Sequence, residues 1–169
     1  MAPQQHQVSL QPKAPEPLTD RHIVDGFACG QPVLDDWLRK RALANQSSGA
    51  TRTFVVADPA WRVLGYYALG AGAVARSDAT ATVRRSMPDP LPVLVLARLA
   101  VDRGSQGRRL GAALLQDAVH RAVAVSGDAG VRALLVHALD DRARQFYEYY
   151  GFQTSPIHPM TLMLRLRAL

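Results

Sequence analysis

The chain has 169 residues, of which 48% are apolar and 20% charged, a balance that is typical of a soluble globular domain. This length suits one domain with a substantial core, and the longest apolar run is far shorter than the roughly 20 residues of a membrane helix. The net charge of +6 favours a polyanionic partner such as a nucleic acid, although an arginine-rich soluble surface would give the same charge.

The first residues are rich in Gln and Pro and lack the apolar segment of a signal peptide. We interpret residues 1–17 as a disordered tail and residues 18–169 as one domain. The single cysteine, Cys29, excludes an internal disulfide and suits a reducing cytoplasm. We expect its thiol to be buried.

The N-terminal half of the domain predicts a helix followed by a hairpin. Apolar residues recur at helical spacing over residues 30–46, and Pro32 suits the first turn of a helix. Residues 53–58 and 62–75 read as two antiparallel strands joined by the turn "DPAW". The following residues, 78–92, predict a proline-rich loop with room for one short helix.

The C-terminal half alternates strands and helices. Residues 93–101 form an apolar run that is typical of a strand buried on both faces, and the helix after it bears a broad apolar stripe. A second buried strand over 131–139 and a turn at 140–141 lead to a helix over 142–150, which Gly151 would end. A last strand covers residues 160–166, and the order of elements indicates an α/β domain on one mixed sheet.

The turn between the strand at 93–101 and the next helix is a candidate anion site. Gly104 and Gly107 permit a close backbone approach, and the first amides of the helix have no intrahelical partners. Those amides and the helix dipole favour phosphate, and Arg103, Arg108 and Arg109 add charge. A capped turn with solvated arginines is an equally good interpretation of this segment alone. The pattern matches neither a Walker loop nor a Rossmann fingerprint.

Two motifs resemble the GNAT acetyltransferases. The segment 106–111, "QGRRLG", is similar to the loop that binds the pyrophosphate of acyl-CoA in that family, with Arg109 where the family usually has a glycine. The segment 143–152, "ARQFYEYYGF", resembles the family's helix along the pantetheine, in which Tyr147 lies close to the thioester sulphur. Asp140 falls where many relatives have Asn.

The N-terminal half resembles more narrowly the GNAT toxins of bacterial toxin–antitoxin pairs. Their pattern Phe-x-Cys-Gly-x-x-x-Leu-Asp-x-Trp-Leu is filled here by Phe27, Cys29, Gly30, Leu34, Asp35, Trp37 and Leu38. The resemblance covers about residue 18 to the C-terminus. It implies the GNAT fold, a single mixed, mostly antiparallel central sheet flanked by helices.

The same resemblance implies a function, a cofactor and partners. The function is acetyl transfer from acetyl-CoA to the free α-amino group of an aminoacyl-tRNA in the cytoplasm, which blocks translation. The implied partners are a second copy of the chain in a homodimer and a ribbon-helix-helix antitoxin. The residues expected to bind acetyl-CoA are Leu99, Ala100, Val101, Gln106, Gly107, Arg108, Arg109, Leu110, Gly111, Ala112, Asp140 and Phe146.

The chemistry of amine acetylation is consistent with this set. Backbone N–H groups near 99–101 could polarise the thioester carbonyl, and Tyr147 could act as the general acid for the thiolate. The chain has two glutamates, Glu16 and Glu148, and Glu148 should point about 100° away from Tyr147 on the helix. The lack of an obvious glutamate base favours an α-amine, with a pKa of about 8, over a lysine. An aspartate or an ordered water could still serve as base.

The basic surface offers candidate contacts to RNA phosphates. Arg76, Arg84 and Arg85 flank the loop before the central strand, and residues 39–41 are a basic run on the first helix. Each of these residues is about as well explained as a solvated surface cation. The five histidines and one cysteine show no metal-ligand spacing, so we expect no metal.

Two alternative functions remain open from the sequence. The first is a GNAT enzyme that acetylates a small-molecule amine or a protein N-terminus, which would keep Tyr147 but need no phosphate-binding surface. The second is a non-catalytic GNAT-fold binding module that assembles with a DNA-binding partner. Arg109 at the usual glycine position is the residue that favours this second alternative.

Overall fold

The computed structural model describes residues 13–167, and these form a seven-stranded sheet in the order β1-β2-β3-β4-β5-β7-β6. The strands are β1 (Glu16–Pro17), β2 (Arg52–Ala57), β3 (Val63–Val74), β4 (Leu91–Val101), β5 (Ala133–His137), β6 (Gln153–Thr154) and β7 (Thr161–Arg165). The helices are α1 (Pro32–Lys40), α2 (Ala42–Ser48), α3 (Ala81–Arg84), α4 (Leu110–Ala129) and α5 (Asp141–Tyr149), with 3-10 turns at Arg76–Asp78 and Arg103–Ser105.

The sheet is mixed and mostly antiparallel, as predicted. β4 and β5 pair in parallel, and α4 connects them, because parallel neighbours need a long crossover. The other strand pairs are antiparallel, including the predicted hairpin of β2 and β3. The predicted α/β class with one mixed sheet is therefore confirmed.

Helices cover both faces of the sheet. Tyr66 of β3 packs in a cluster with α1 and α2, and Val74 packs in a cluster with α3, whereas Tyr67 packs in a cluster with α4 and α5. Alternate residues of a strand point to opposite faces, so α1, α2 and α3 lie on one face. We call this the α1–α3 face, and α4 and α5 cover the opposite, α4–α5 face.

The sheet begins earlier in the chain than predicted. Glu16 and Pro17, which we assigned to a disordered tail, pair with Val55 and Phe54 of β2. The open edge of β2 supplies backbone partners for this segment. The N–H of Leu18 donates to Thr53 O at 2.9 Å, and the buried side chain of Leu18 anchors the segment. Residues 1–12 of the predicted tail lie outside the described residues.

Two further differences concern a helix and a strand. The single helix predicted over 30–46 is interrupted at Arg41, whose φ of −124° separates α1 from α2. No proline or glycine marks this break, so apolar periodicity alone misses it. The two-residue strand β6, which pairs with β7, was also not predicted, because two residues are too few to show a period. Over residues 13–167 no helix is both long and apolar enough to cross a bilayer.

Candidate active site

A cleft opens where β4 and β5 separate. The two strands pair only from Val93 to Leu96 and from Ala133 to Val136, although β4 runs on to Val101 against β3. The register of that pairing shifts at Ala97, which is an extra residue in β4, and such bulges bend a strand. Beyond the bulge, no strand among residues 13–167 pairs with the edge of β4 that faces β5, so backbone polar groups there can meet a ligand.

The cleft has a volume of about 650 Å³ and brings together the two halves of the chain. Of the predicted site residues, the structure places in its walls Leu99, Ala100, Val101, Gln106, Asp140, Phe146 and Tyr147. The wall also contains residues that sequence reasoning did not assign to a site, among them Cys29, Gln31, Val33, Leu34, Arg98, His137 and Arg142. The motif "FACG" singled out Cys29 in the sequence, but it did not predict that Cys29 lines the cleft.

The turn after β4 is tied to the N-terminal segment through Asp102. Its Oδ1 accepts from the N–H of Ala28 at 2.9 Å and its Oδ2 accepts from the N–H of Gly104 at 3.1 Å. The N–H of Arg103 donates in return to Ala28 O at 2.9 Å. These bonds hold the turn against a segment more than 70 residues away in sequence.

The side chain of Gln106 links the turn to two backbone carbonyls. Its Nε2 donates to Cys29 O and to Val101 O, each at 2.9 Å. Both amide protons are therefore committed to backbone carbonyls. The side chain holds the turn in place, and only its carbonyl oxygen and backbone are free to meet a ligand.

The motif around Phe27 to Leu38 supports this arrangement. Asp35 is buried, and its Oδ1 accepts from the N–H of Cys29 at 2.9 Å. Gly30 has a φ of +103°, and a Cβ there would lie 3.4 Å from the Arg103 guanidinium. The pattern thus builds a rigid N-terminal wall for the cleft.

The predicted anion site lies at the first turn of α4. Residues 110–112 open the helix, and an added Cβ on Gly111 would lie 3.8 Å from Val101 and 3.9 Å from Phe146, so this turn borders the cleft. Gly107 has a φ of +81°, which explains the glycine. Arg108 and Arg109 are exposed beside these amides, and Arg109 and Ala112 line a neighbouring groove between α4 and the end of α5.

Arg109 precedes α4 with φ 60° and ψ 20°, a left-handed conformation that costs a non-glycine residue about 1 kcal/mol. This strain explains why glycine would suit the position. We expect Arg109→Gly to raise the free energy of unfolding by about 1 kcal/mol, as measured by urea denaturation.

Arg108→Gly is the matched control for this prediction. It removes the same charge at a position without positive φ, where glycine should lower the free energy of unfolding by about 0.5–1 kcal/mol. A change of the same sign in both variants would contradict the assigned strain.

Tyr147 is buried in the cleft wall with only 6% of its surface exposed. Its ring contacts those of Phe146 and Phe152 edge-on, at centroid distances of 5.2 and 5.4 Å. Burial raises the pKa of Tyr147 above its ordinary value, so the phenol stays protonated at neutral pH. Glu148 faces away from the cleft, toward Arg144 and Thr154, as the helical geometry predicted.

Cys29 is half-buried in the cleft wall rather than buried in the core, which corrects our expectation. Its burial and the neighbouring carboxylate of Asp35 raise the pKa of the thiol to about 11. The thiol is therefore protonated at neutral pH and is not a ready nucleophile.

The predicted RNA contacts lie together on one side of the molecule. Arg76 on the 3-10 turn, Arg84 at the end of α3 and Arg85 directly after it are exposed at the α1–α3 face. Arg39 and Lys40 on α1 pair with Asp36 at 3.1 and 3.9 Å. The carboxylate of Asp36 therefore lowers the net positive charge of this part of α1. Within residues 13–167 no three His, Cys, Asp or Glu side chains are grouped to hold a metal ion.

Comparison with known proteins gives consistent matches. Residues 50–154 match the family described as an acetyltransferase (GNAT) domain. A protein of Mycobacterium tuberculosis (strain ATCC 25618 / H37Rv) named tRNA-acetylating toxin is 52% identical over 154 residues, covering 91% of this chain and 92% of the relative.

Two solved structures of the toxin AtaT are also similar. AtaT complexed with acetyl-methionyl-tRNAfMet has a TM-score of 0.82 at 27% identity, over 89% of this chain and 93% of AtaT. A tyrosine-to-phenylalanine mutant of AtaT, bound to the C-terminus of the antitoxin AtaR and to acetyl-CoA, has a TM-score of 0.75 at 27% identity, over 89% and 91%.

Proposed function

The chain belongs to the GNAT acetyltransferases, and from that premise we propose that it transfers the acetyl group of acetyl-CoA to the α-amino group of an aminoacyl-tRNA. This transfer would block translation, because the acetylated amine can no longer form a peptide bond. The observation that carries the substrate is the 52% identity to a tRNA-acetylating toxin over 91% of the chain. The cleft that Tyr147 lines supports the chemistry.

Acetyl-CoA would lie along the free edge of β4. Backbone groups of Leu99, Ala100 and Val101 would bind the pantetheine and polarise the thioester carbonyl. Its pyrophosphate would meet the unpartnered amides at the start of α4, formed by Gly107, Leu110, Gly111 and Ala112. Arg108 and Arg109 would add charge there, and Phe146 would pack beside the pantetheine.

Asp140 supports this site indirectly. Its Oδ1 accepts from the N–H of Ala143 at 2.8 Å and caps α5, and α5 contains Tyr147. In this role the carboxylate fixes the start of the helix, as an N-cap does, and it would support the site without a contact to the cofactor at a position where many relatives have Asn.

The reaction forms one bond and breaks one bond at the acetyl carbonyl carbon. The amine nitrogen of the acceptor attacks that carbon, the C–S bond of the thioester breaks, and the CoA thiolate leaves. The O–H of Tyr147 donates to the departing sulphur, and the amine loses its surplus protons as the amide forms.

The exposed arginines of the α1–α3 face would bind phosphates of the tRNA. We expect Arg84→Ala/Arg85→Ala to leave acetyl-CoA affinity unchanged and to weaken acetylation of charged tRNA. In a plot of log kcat/KM against log salt concentration, the magnitude of the negative slope should fall by about 2, one for each lost phosphate contact.

Arg52→Ala is the matched control, because it removes an exposed cation from the start of β2. Its salt slope should equal that of the unaltered protein. An unchanged slope in the Arg84/Arg85 variant would remove both residues from the tRNA contact.

The proposed partners follow from the same relatives. A ribbon-helix-helix antitoxin would neutralise the enzyme, as suggested by the AtaT structure that contains the C-terminus of AtaR, and the chain would act as a homodimer. Because charged tRNA is used in the cytoplasm, that compartment is the proposed place of action.

The first test is transfer of label from radiolabelled acetyl-CoA to total charged tRNA, with deacylated tRNA and a lysine peptide alongside. Label in charged tRNA alone would support the proposal. Label in the peptide, or in a small amine, would indicate the alternative acetyltransferase. Acetyl-CoA binding without transfer to any acceptor would indicate a non-catalytic module.

A further inference from the structure

A second cleft opens on the α1–α3 face of the sheet, opposite α4 and α5. It has a volume of about 330 Å³ and an apolar floor of side chains from β3, β4 and β5. Its rim is polar and includes Asp78, His158 and Thr161. The exposed arginines of the 3-10 turn and α3 lie on this same face. An acceptor bound to those arginines would lie on the side of the sheet on which this second cleft opens.

The two clefts meet at His137. Val95 and His137 line both of them, while Tyr147 lines only the first. His137 directly follows Val136, the last residue of β5 that pairs with β4. Its ring therefore lies where the strands separate, between the face that would receive the acceptor and the cleft that would hold the thioester.

The ring of His137 is held in one orientation and is open to water. Its Nδ1 lies 2.9 Å from Oγ1 of Thr161, a residue on the neighbouring strand β7 that is 9% exposed. In the tautomer in which Nδ1–H donates to Oγ1, Nε2 presents a lone pair. The side chain itself is exposed, so a proton received there can pass to solvent.

Other candidate bases near the cleft are occupied or poorly suited. Glu148 contacts Arg144 and Thr154 on the far side of α5, and the carboxylate of Asp140 caps that helix. The pKa of the Cys29 thiol is raised to about 11, so its thiolate is scarce at neutral pH. His158, at the outer rim, lies 3.4 Å from Asp78 and does not line the first cleft.

We propose that His137 is the catalytic base that takes a proton from the α-ammonium group of the acceptor. The inference rests on the proposed function, because it needs an amine that is partly protonated at neutral pH. The α-ammonium transfers one proton to Nε2, and the resulting amine attacks the thioester carbonyl. The C–S bond breaks, Tyr147 protonates the thiolate, and the second amine proton passes to solvent as the amide forms. His137 then releases its proton to solvent, and Tyr147 regains one, so that one proton is released per turnover.

Several charged or titratable groups share the two clefts with His137. From the α1–α3 face these are Asp78 and His158; from the N-terminal wall, Cys29; from β4, Arg98; and from α5 and its start, Asp140, Arg142 and Tyr147. Because charges of both signs share the clefts with the ring, the test compares variants over a range of pH.

The test compares His137→Asn with the unaltered protein and with His120→Asn, a matched control on the exposed side of α4. Acetyl transfer to charged tRNA is measured at saturating acetyl-CoA from pH 7 to 9, a range in which an ordinary imidazole is mostly neutral. The His137→Asn variant should lose about tenfold at pH 7, because only about a tenth of an amine with a pKa of ~8 is neutral there without a base. Its deficit should shrink as the pH rises past the amine pKa. Acetyl-CoA affinity and the His120→Asn rates should stay unchanged.

A deficit that is constant with pH, or no deficit, would overturn the role of His137 while leaving the proposed function intact. An unaltered protein that acetylates no charged tRNA would instead overturn the proposed function. His137→Gln is measured in parallel, so that a folding defect in one variant, seen as a lowered Tm, does not decide the result.

Discussion

Replacing Tyr147 with Phe is expected to lower kcat by about 10²–10⁴-fold, the range for loss of a general acid, while acetyl-CoA binds nearly as before. The side chain lies in the cleft wall, and burial raises the pKa of the phenol, so Tyr147 is a protonated donor at neutral pH. Phenylalanine keeps the edge-on contacts to Phe146 and Phe152, and the fold should not change.

The measurement is single-turnover acetyl transfer, with the acetyl-CoA affinity obtained separately by calorimetry. Tyr149→Phe is the matched control, because Tyr149 is 83% exposed on the same helix and does not line the cleft. Full turnover by Tyr147→Phe would show that solvent, rather than this residue, protonates the thiolate.

Replacing Asp102 with Ala is expected to raise the Kd for acetyl-CoA by about 10²-fold, because loss of a positioning contact that shifts a site by an ångström has effects of this size. The carboxylate accepts from both Ala28 and Gly104, and it holds the turn before α4 against the N-terminal wall together with the bonds of Arg103 and Gln106. Without it the turn is held less tightly beside the cleft. The free energy of unfolding should fall by about 1.5–3 kcal/mol, the range for hydrogen bonds to a charged group.

Calorimetry of acetyl-CoA binding and urea denaturation measure the two effects. Asp128→Ala is the control, since that carboxylate is exposed in the last turn of α4, far along the helix from the turn. If Asp102→Ala lost stability but kept its affinity for acetyl-CoA, the turn would not need this anchor to bind the cofactor.

Much of the fold was predictable because its signals are local. The strand-forming runs of β2 and β3 on either side of a turn, the buried runs of β4 and β5, and the apolar stripe of α4 each have a run length or a period that identifies the element. The break at Arg41 and the pairing of Glu16 and Pro17 have no such period. The pairing of Glu16 and Pro17 depends on β2, which is distant in sequence, and the break at Arg41 depends on the course of the chain over the sheet. The sequence analysis therefore missed both.

The sequence likewise predicted some parts of the candidate site and missed others. The segment 106–111 and the helix with Tyr147 were recognisable because their residues are contiguous. The roles of Gln106, Asp102 and His137 were not, because each depends on partners that the sequence places far away: Cys29, Ala28 and Thr161 respectively. Cys29 was expected to be buried and lies instead in the cleft wall.

By itself, then, the sequence determined the order and type of the main elements, the GNAT motifs and the residues most suited to bind phosphate and donate a proton. Only the tertiary structure decided where β4 and β5 separate, which side chains line the resulting cleft, and that a histidine stands where two clefts meet. The physical reason is that periodicity and motifs act between near neighbours in the chain. A cleft instead arises from strand register and from hydrogen bonds that close loops of many residues, and these exist only once the chain has folded.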